Sequence, residues 1–339
     1  MEIRKIQSTA SGSFFITLPK DWVTSSDIKK GDDLTISYFE DGALKILPLK
    51  KHEQYYSEFL IQIENYVEEN SLERAISSSY VQGADIITIS SKDTILVNIK
   101  KLIKQSTSNL IGTEISEEFA NRIIIRILVD PVKFPLYILI KRIYTLVSSM
   151  HLDAIRAFQN SDEILANDVI NRASEVGKLY YLMLRQLNLS LSNKINIEDI
   201  CVSDMKIDCV LGIILARDLT KMAHYSVEIA KETIKLKDKE IDDKIKDHLV
   251  QMSRFIIKMQ QNSILAFFKT DFMRANKVIN NITNVRDFDN KTESDVWEKI
   301  EDKSTIISLI TISKRLRDIA NSAVEVSEDL QAKHRPQVT

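Results

Sequence analysis

The chain has 339 residues, of which 44% are hydrophobic and 28% are charged, and its formal net charge is −2. This composition is typical of a folded protein with two or three domains, and it excludes a chain that is mostly disordered. The low net charge excludes a general attraction to nucleic acid or to anionic membranes, so any such binding must depend on a local patch.

The first fifty residues predict a small β-rich module. Four β-type runs, EIRKIQS, SFFITLP, DLTISYF and LKILPL, alternate with turns, and PKDWVTSSD has room only for a short helix that begins at Pro19. Gly31 in KKGD and the sequence EDGA predict two turns. A module this short exposes several strand edges, so we expect it to dimerise.

Residues 51–130 predict a small α+β region. The stretch from Glu53 to Gly83 is helical in pattern, ADIITIS predicts a strand, and KDTILVNIKKLIKQ predicts an amphipathic helix. GTEISEEFA and RIIIRILV can pair as two strands around Asn121. Structural connection and regulation both stay open as roles for this region.

From about Asp130 onward the pattern is helical. Apolar residues recur in alternating steps of four and three over residues 215–229, where Ser226 is the one polar member, and over residues 312–330. An apolar stripe with this spacing lies along the face of a helix that packs in a bundle.

The helical part is also duplicated. Residues 149–176 align without gaps to residues 258–285, and the two stretches share the sequences Ala-Asn and Val-Ile-Asn. We predict two copies of a three-helix unit. In each copy two helices join near Asp162 or Asp271, and a third helix bears the apolar stripe.

The sequences ANDVINRASEVGKLYYLMLRQL and ARDLTKMAHYSVEIAKE carry a family resemblance. The repeated unit that contains them, about residues 133–330, resembles PhoU, the phosphate-uptake regulator. PhoU proteins have a middle helix of the type R-D-x-E-V-D-R-L-Y and a stripe helix of the type L-E-R-I-A-D-H-A-V-N-I-A-E.

The stretch RKIQSTASGSFFITLPKDWVTSSDIKKGDDLTISYFEDGALKILP is similar to the swapped-hairpin DNA-binding module of the AbrB, SpoVT and MazE type. That resemblance implies an obligate homodimer, in which hairpins of two chains interleave, and double-stranded DNA as a partner. The combination of both modules resembles archaeal PhoU-like proteins, which are regulators tied to phosphate supply.

These patterns predict a multidomain fold class. It comprises an N-terminal β-rich swapped-hairpin module, a small α+β middle region and C-terminal all-α PhoU-like tandem three-helix bundles. The predicted boundaries are 1–50 for the DNA-binding and dimerisation domain, 51–130 for the connecting domain, 131–236 and 237–332 for the two repeats, and 333–339 for a disordered tail.

The DNA-binding candidates are the basic residues that flank the predicted strand ends and the short helix of the first module. They are Arg4, Lys5, Lys20, Lys29 and Lys30. We predict that they contact the DNA backbone and the major groove. Asp21, Asp27, Asp32 and Asp33 lie among them, so a dimerisation module with a mixed-charge surface is the alternative.

The PhoU resemblance implies iron or zinc clusters held by acidic side chains of the stripe and middle helices. Multiple carboxylates balance the charge of such a cluster, whereas a cationic side chain repels the metal. In this chain all eight positions lack an acid, so we expect no metal cluster and no other cofactor. The residues at these positions are Thr220, His224, Arg317, Asn321, Ala173, Gly177, Ile282 and Arg286.

His224 and Glu228 are the one weak candidate pair for a metal ion. They stand one helical turn apart, a spacing that can hold a single zinc ion. The interpretation that we favour is an ordinary contact on the helix surface without a metal ion. Such a contact stabilises the helix by about 0.3–0.5 kcal/mol when the histidine is protonated.

Cys201 and Cys209 have neither CxxC nor zinc spacing, and we interpret them as small core or surface residues of a chain from a reducing compartment. The N-terminus lacks the apolar core of a signal peptide, and the most apolar helix candidate is interrupted by Lys141 and Arg142. We therefore predict a cytoplasmic protein without membrane insertion.

The predicted function is that of a DNA-binding transcription regulator linked to phosphate homeostasis. Its PhoU-like repeats would receive a signal by contact with a phosphate transporter subunit or another regulator. The alternative is a dimeric adaptor that regulates such a partner by protein contact without DNA. No GxSxG, Walker A or HExxH motif occurs, so we do not expect an enzyme.

Overall fold

The computed structural model describes residues 3–38, 42–48, 56–68, 70–201 and 206–333. The chain divides into two compact units, unit 1 over residues 1–56 and unit 2 over residues 57–339. Most of the predicted tail, and the first half of the predicted EDGA turn, lie outside the described residues.

Unit 1 contains two antiparallel hairpins and a short helix. Its elements are β1 (Gln7–Ser8), β2 (Phe14–Phe15), α1 (Lys20–Ser25), β3 (Leu34–Tyr38) and β4 (Leu44–Pro48). β1 pairs with β2, and β3 pairs with β4. The short helix begins directly after Pro19, and Gly31 has a φ of 97°, which a turn of this kind requires of glycine.

Unit 2 begins with an α+β region whose sheet has helices on one face. Its elements are β5 (Glu58–Gln62), α2 (Ser71–Val81), β6 (Ile86–Ser90), α3 (Val97–Ser108), β7 (Thr113–Glu118) and β8 (Arg122–Ile127). The sheet order is β5-β6-β8-β7, with β5 parallel to β6 and the other pairs antiparallel. The predicted pairing of the last two strands around Asn121 is confirmed.

The helical prediction for residues 53–83 is wrong in its first half. Residues 58–62 form strand β5, a 3-10 turn follows at Ile63–Asn65, and α2 begins only at Ser71. Ile61 is buried while its neighbour Leu60 is 63% exposed, which is the alternation of a strand. A short apolar run fits helix and strand equally well, and pairing with β6 decides between them.

The rest of unit 2 is helical. Its elements are α4 (Leu136–Asn160), α5 (Glu163–Leu191), α6 (Ile197–Ile200), α7 (Lys206–Lys235), α8 (Asp243–Lys269), α9 (Phe272–Asn280), α10 (Ile282–Lys299) and α11 (Lys303–Asp329). The stripe helix α7 packs against α4, α5 and the second stripe helix, α11. None of the described helices combines the length and apolar sequence that a membrane crossing needs.

The predicted helix junctions are confirmed and are equivalent in the two copies. Asp162 and Asp271 are N-caps whose carboxylates accept from the main-chain N–H three residues later, each over 3.0 Å. Each follows a left-handed residue, Ser161 or Thr270. An N-cap of this kind stabilises the helix that follows it by about 1 kcal/mol, and the left-handed residue before it ends the preceding helix.

The second copy departs from a plain three-helix unit. Its middle helix is interrupted between α9 and α10, at Asn281. Asparagine competes for main-chain hydrogen bonds and is a weak helix former, and two asparagines stand together here. The first copy has no such pair at the equivalent place, and α5 runs without interruption.

The apolar stripes form the seam between the helices. Their apolar members are all buried: Leu215, Leu219, Met222, Ile229, Ile312, Leu316, Ile319, Ala323, Val326 and Leu330. Ser226, the polar member, is fully buried too, and its hydroxyl donates to the carbonyl of Met222 over 2.9 Å. The hydroxyl is thus satisfied within its own helix.

Cys201 and Cys209 are joined as a disulfide, with Cα atoms 5.9 Å apart. The interpretation of them as small core or surface residues did not predict this pairing. A separation of eight residues matches neither a CxxC nor a zinc motif, so the spacing gave no signal. The contact depends on the packing of Cys209 into the helical core.

Candidate functional site

The five DNA-binding candidates of unit 1 are exposed side chains. They lie before β1 (Arg4, Lys5), at the start of α1 (Lys20) and in the loop after α1 (Lys29, Lys30). The guanidinium of Arg4 donates to the hydroxyl of Thr17 over 2.9 Å. Lys29 Nζ lies 3.9 Å from Asp27 Oδ1, and both side chains are more than three-quarters exposed, so solvent screens this contact.

The loop after α1 has a defined backbone. Asp27 has a φ of 46° and Gly31 a φ of 97°, and the main-chain N–H of Lys29 donates to Asp32 Oδ2 over 2.7 Å. The sequence therefore shapes a turn in which Asp32 caps the backbone. The side chains of Lys29 and Lys30 are exposed to solvent.

Unit 1 exposes large apolar side chains. Among the residues of unit 1 whose burial the structure describes, 3–36, 38, 42–46, 48 and 56, none is buried. The exposed apolar side chains of its hairpins are Phe14, Phe15, Ile16, Ile36, Tyr38 and Leu44. Grouped apolar exposure of this kind marks an interaction surface.

His224 and Glu228 lie together on α7, as their spacing predicts, with Nε2 and Oε1 3.0 Å apart. The other oxygen of Glu228 contacts the guanidinium of Arg315 on α11, and Arg315 also donates to Asp318 over 2.7 Å. A metal ion at this pair would face a neighbouring cation. Among the described residues, no group of three or more His, Cys, Asp or Glu could hold a metal ion.

A second charged contact links the two stripe helices. Lys221 Nζ lies 3.0 Å from Asp218 Oδ1 on α7 and 2.9 Å from Glu325 Oε2 on α11. Burial raises the pKa of Asp218, and Lys221 counteracts this rise. The sequence analysis did not find the contact with Glu325, although the i, i+3 spacing of Asp218 and Lys221 indicated their pairing.

These charges border an open surface cleft of about 350 Å³. Its lining residues are Tyr180, Arg217, Thr220, Lys221, His224 and Tyr225. Each of its basic side chains lies near an acidic one on the same face. The cleft is therefore a mixed-charge surface that can make polar contacts with a protein partner.

The second copy holds an ion pair between α10 and α11 in which the carboxylate is buried and the guanidinium is partly exposed. Arg317 Nη1 donates to Asp289 Oδ2 and Ser313 Oγ donates to Asp289 Oδ1, both over 2.6 Å. Asp289 is 4% exposed, so both of its oxygens depend on these donors.

The α+β region is attached to the bundle through α5. Arg185 is 2% exposed, and its Nη1 donates to the carbonyls of Tyr80 and Ala84 over 2.8 and 2.7 Å. Asn188, one turn later, donates to the carbonyl of Val81 over 3.0 Å. Two side chains of α5 thus bind the carbonyl groups that end α2, and sequence reasoning did not find this junction.

The helices α4, α5 and α7 contain a match to a known protein family. Residues 140–233 match the PhoU domain. Residues 7–54 match a second family model, described as "Antidote-toxin recognition MazE, bacterial antitoxin". Both resemblances drawn from the sequence are confirmed, although neither match spans half of the chain.

Two solved structures share the fold. PhoU from Pseudomonas aeruginosa is 15% identical, with a TM-score of 0.51 over 57% of this chain and 93% of that chain. The phosphate transport system regulatory protein PhoU from Streptococcus pneumoniae is 17% identical, with a TM-score of 0.50 over 57% of this chain and 91% of that chain. No curated protein matches. The predicted PhoU-like fold of the helical region is confirmed.

The residues at the PhoU metal-ligand positions do not fit a metal cluster. Arg317, at one of these positions, forms an ion pair with Asp289. Its guanidinium therefore lies where a cluster needs a carboxylate. His224, at another, shares its only described carboxylate partner with Arg315. At these two of the eight positions, side-chain ion pairs stand where a cluster requires acidic ligands.

Proposed function

We propose that this protein is a dimeric DNA-binding transcription regulator linked to phosphate uptake. The observation that carries the proposal is the presence in one chain of a MazE-type match over residues 7–54 and a PhoU match over residues 140–233. The first module supplies a DNA-binding surface, and the second receives a signal that reflects phosphate supply through contact with a transporter subunit or another regulator.

Dimerisation through the hairpins of unit 1 is supported by their exposed apolar side chains, among them Phe14 and Tyr38, which are 74% and 85% exposed. A second copy of the hairpins would remove these apolar side chains from water. It also doubles every cation, so that Arg4, Lys20 and Lys29 of each chain act together on the phosphates of one duplex.

Signal transfer within the chain is supported by the junction of α5 and α2. Arg185 and Asn188 bind the end of α2 rigidly, so a shift of α5 within the bundle moves the α+β region with it. The mixed-charge face of α7 and α11, with Lys221 and Glu325, is the surface we assign to the protein partner.

A salt series of gel-shift measurements with promoter DNA tests the proposal. We expect the logarithm of the binding constant to fall with the logarithm of salt concentration by about 0.9 per phosphate contacted. The double variant Lys29→Ala, Lys30→Ala should bind more weakly with a shallower slope. The matched control Lys101→Ala, Lys314→Ala removes two exposed lysines outside unit 1 and should bind normally; equal behaviour of the two variants contradicts the proposal.

The second candidate is an adaptor that regulates a phosphate transporter or signalling protein without DNA. It is favoured by the charge of residues 1–50, in which seven Lys and Arg balance seven Asp and Glu. In this case the hairpins serve only to dimerise. Removal of residues 1–50 would then yield a monomer that still captures its partner, and the Lys29→Ala, Lys30→Ala variant would regulate normally in cells.

A further inference from the structure

Strand β5 is an open edge of the sheet in the α+β region. It stands at the end of the order β5-β6-β8-β7, and its described ladder partner is β6, with a continuous register over five residues. The opposite side of an edge strand presents unpaired N–H and C=O groups, which can accept a further strand.

The other edge of the same sheet is blocked. β7 carries a register shift between Ile115 and Glu117 and exposes glutamates along its length. Glu118 is bound by Lys100 and Lys104 of α3 over 3.1 and 2.9 Å, which covers the end of the strand. Bulges and charges of this kind prevent edge-to-edge association.

β5 has no bulge in its described residues, and its one charged side chain, Glu58, stands at its first position. Its three central residues are apolar, Phe59, Leu60 and Ile61, and Leu60 is 63% exposed. Among the described strands, one edge of the four-stranded sheet is thus blocked, and the other is free to pair. A free apolar edge is an aggregation hazard unless a specific partner covers it.

A groove of about 490 Å³ runs beside this edge, between β5 and α2. On the α2 side it is lined by four small residues, Ser71, Ala75, Ser78 and Ser79, and by the longer side chains of Arg74 and Gln82. A strand added to β5 at the normal spacing of about 4.7–4.9 Å would lie beside this groove.

We propose that β5 pairs in antiparallel fashion with β5 of a second copy of this chain, with Leu60 on the two-fold axis. The two four-stranded sheets then form one sheet of eight strands across a dimer. This inference rests on the proposed function only in that dimerisation of unit 1 brings the second copy near.

The sequence EFLIQ of β5 is complementary to itself in this register. Leu60 faces Leu60, Phe59 faces Ile61, and Glu58 faces Gln62, so no glutamate faces a glutamate. A symmetric interface requires such self-complementarity, and aromatic with β-branched pairs are favourable across antiparallel strands. Thr88 already donates to Glu58 Oε1 over 2.7 Å, which fixes that carboxylate and leaves its second oxygen for the amide of Gln62.

The order of the chain favours a second copy over an unrelated strand. Unit 1 ends at Tyr56, and β5 begins two residues later at Glu58. Once two copies of unit 1 associate, the two β5 strands are held in one complex. The effective concentration of each strand near the other is then high, which favours their pairing.

Disulfide crosslinking of the full chain tests the pairing. The variant Leu60→Cys is made in a background of Cys201→Ser and Cys209→Ser, and glutathione disulfide is added. Two thiols then lose two hydrogens to form one S–S bond, and one glutathione disulfide is reduced to two glutathione molecules. Residues opposite each other in antiparallel strands have Cα atoms about 4.5–5.5 Å apart, within the range of a disulfide.

The matched control is Ser116→Cys in the same background, which places a cysteine on the blocked edge, β7. We expect the Leu60→Cys chain to form a reducible covalent dimer about tenfold faster or more than the Ser116→Cys chain, because only the former thiols are held together. Crosslinking at equal rates, with both variants folded by circular dichroism, overturns the inference.

Light scattering on the unmodified chain separates this inference from the proposed function. A dimer whose Leu60→Cys variant does not crosslink overturns the β5 pairing and leaves the regulator proposal standing. A crosslinked chain that binds no DNA supports the pairing and overturns the regulator. A monomer that does not crosslink overturns both, including the case in which β5 takes a strand of another protein.

Discussion

Arg185 on α5 donates from Nη1 to the carbonyl of Tyr80 at the end of α2, over 2.8 Å, and its guanidinium lies 5.1 Å from the centre of the Tyr80 ring. The tyrosine hydroxyl in turn donates to the carbonyl of Ile111 over 3.0 Å. Burial raises the pKa of Tyr80, so the ring stays neutral beside the arginine. The pair fastens the α+β region to the bundle.

Replacement of Arg185 should therefore loosen this junction. Arg185→Ala leaves the carbonyls of Tyr80 and Ala84 buried without their donor, and we expect a loss of about 2–4 kcal/mol in the free energy of unfolding. Urea unfolding measures it. Arg185→Lys, which keeps a cationic donor group, should lose less; an Arg185→Ala midpoint equal to that of the unmodified chain would show that the junction contributes nothing.

His151 predicts a pH dependence of stability. It is fully buried, with Nδ1 2.9 Å from Gln260 Oε1 and Nε2 3.0 Å from Ser253 Oγ, and burial lowers its pKa to about 4. The unfolded chain takes up a proton on this histidine near pH 6.5, whereas the folded chain does so only near pH 4. The contribution of neutral His151 to the free energy of unfolding is therefore fully present above pH 6.5 and is lost as the pH falls from 6.5 to about 4. The loss amounts to about 3 kcal/mol.

Thermal unfolding between pH 7 and pH 4.5 measures this effect. The matched control is His248→Gln, which removes a partly exposed histidine of the same bundle and should leave the acid sensitivity in place. His151→Gln should reduce the slope of stability against pH in this window. An unchanged slope in His151→Gln would assign the acid sensitivity to other groups.

The ion pair of Arg317 and Asp289 gives a third prediction. Arg317→Ala leaves a carboxylate that is 4% exposed without its cation, and we expect a loss of about 3 kcal/mol in the free energy of unfolding. Addition of Asp289→Asn to that variant should restore part of the loss, because the uncompensated charge is gone. A double variant less stable than Arg317→Ala would refute this explanation.

Gly83 gives a fourth prediction, on the same junction as Arg185. Its φ is 90°, and a Cβ there would stand 2.9 Å from Leu189 Cδ2 on α5. Gly83→Ala should destabilise the chain by about 1–3 kcal/mol, from a strained backbone and a crowded contact. Gly177→Ala, at a helical glycine with open space around the added carbon, is the control and should be neutral or stabilising.

Features with a local signal could be predicted from the sequence. The Asp162 and Asp271 junctions, the apolar stripes and the hairpin around Asn121 follow from capping and periodicity, which act within a few residues. Strand β5 was missed because its apolar run is short, and only its pairing with β6, more than twenty residues away, makes it a strand.

Contacts between distant residues carried no such signal. In the sequence, nothing distinguishes Arg185 from an ordinary residue of a helix. Its role depends on hydrogen bonds to main-chain carbonyls about a hundred positions earlier. The disulfide of Cys201 and Cys209 likewise depends on how α7 packs. For the site, the acidic ligand positions of PhoU could be seen to be replaced, but the ion pairs that replace them, such as Arg317 with Asp289, could not be foreseen.

We propose that this chain binds DNA through unit 1 and regulates phosphate uptake. Genome-wide mapping of the DNA bound by the intact protein in cells, beside the Lys29→Ala, Lys30→Ala variant, tests it most directly. We predict discrete bound sites near genes for phosphate uptake, which are lost in the variant. A map without enriched sites, or one that the variant reproduces, would contradict the claim.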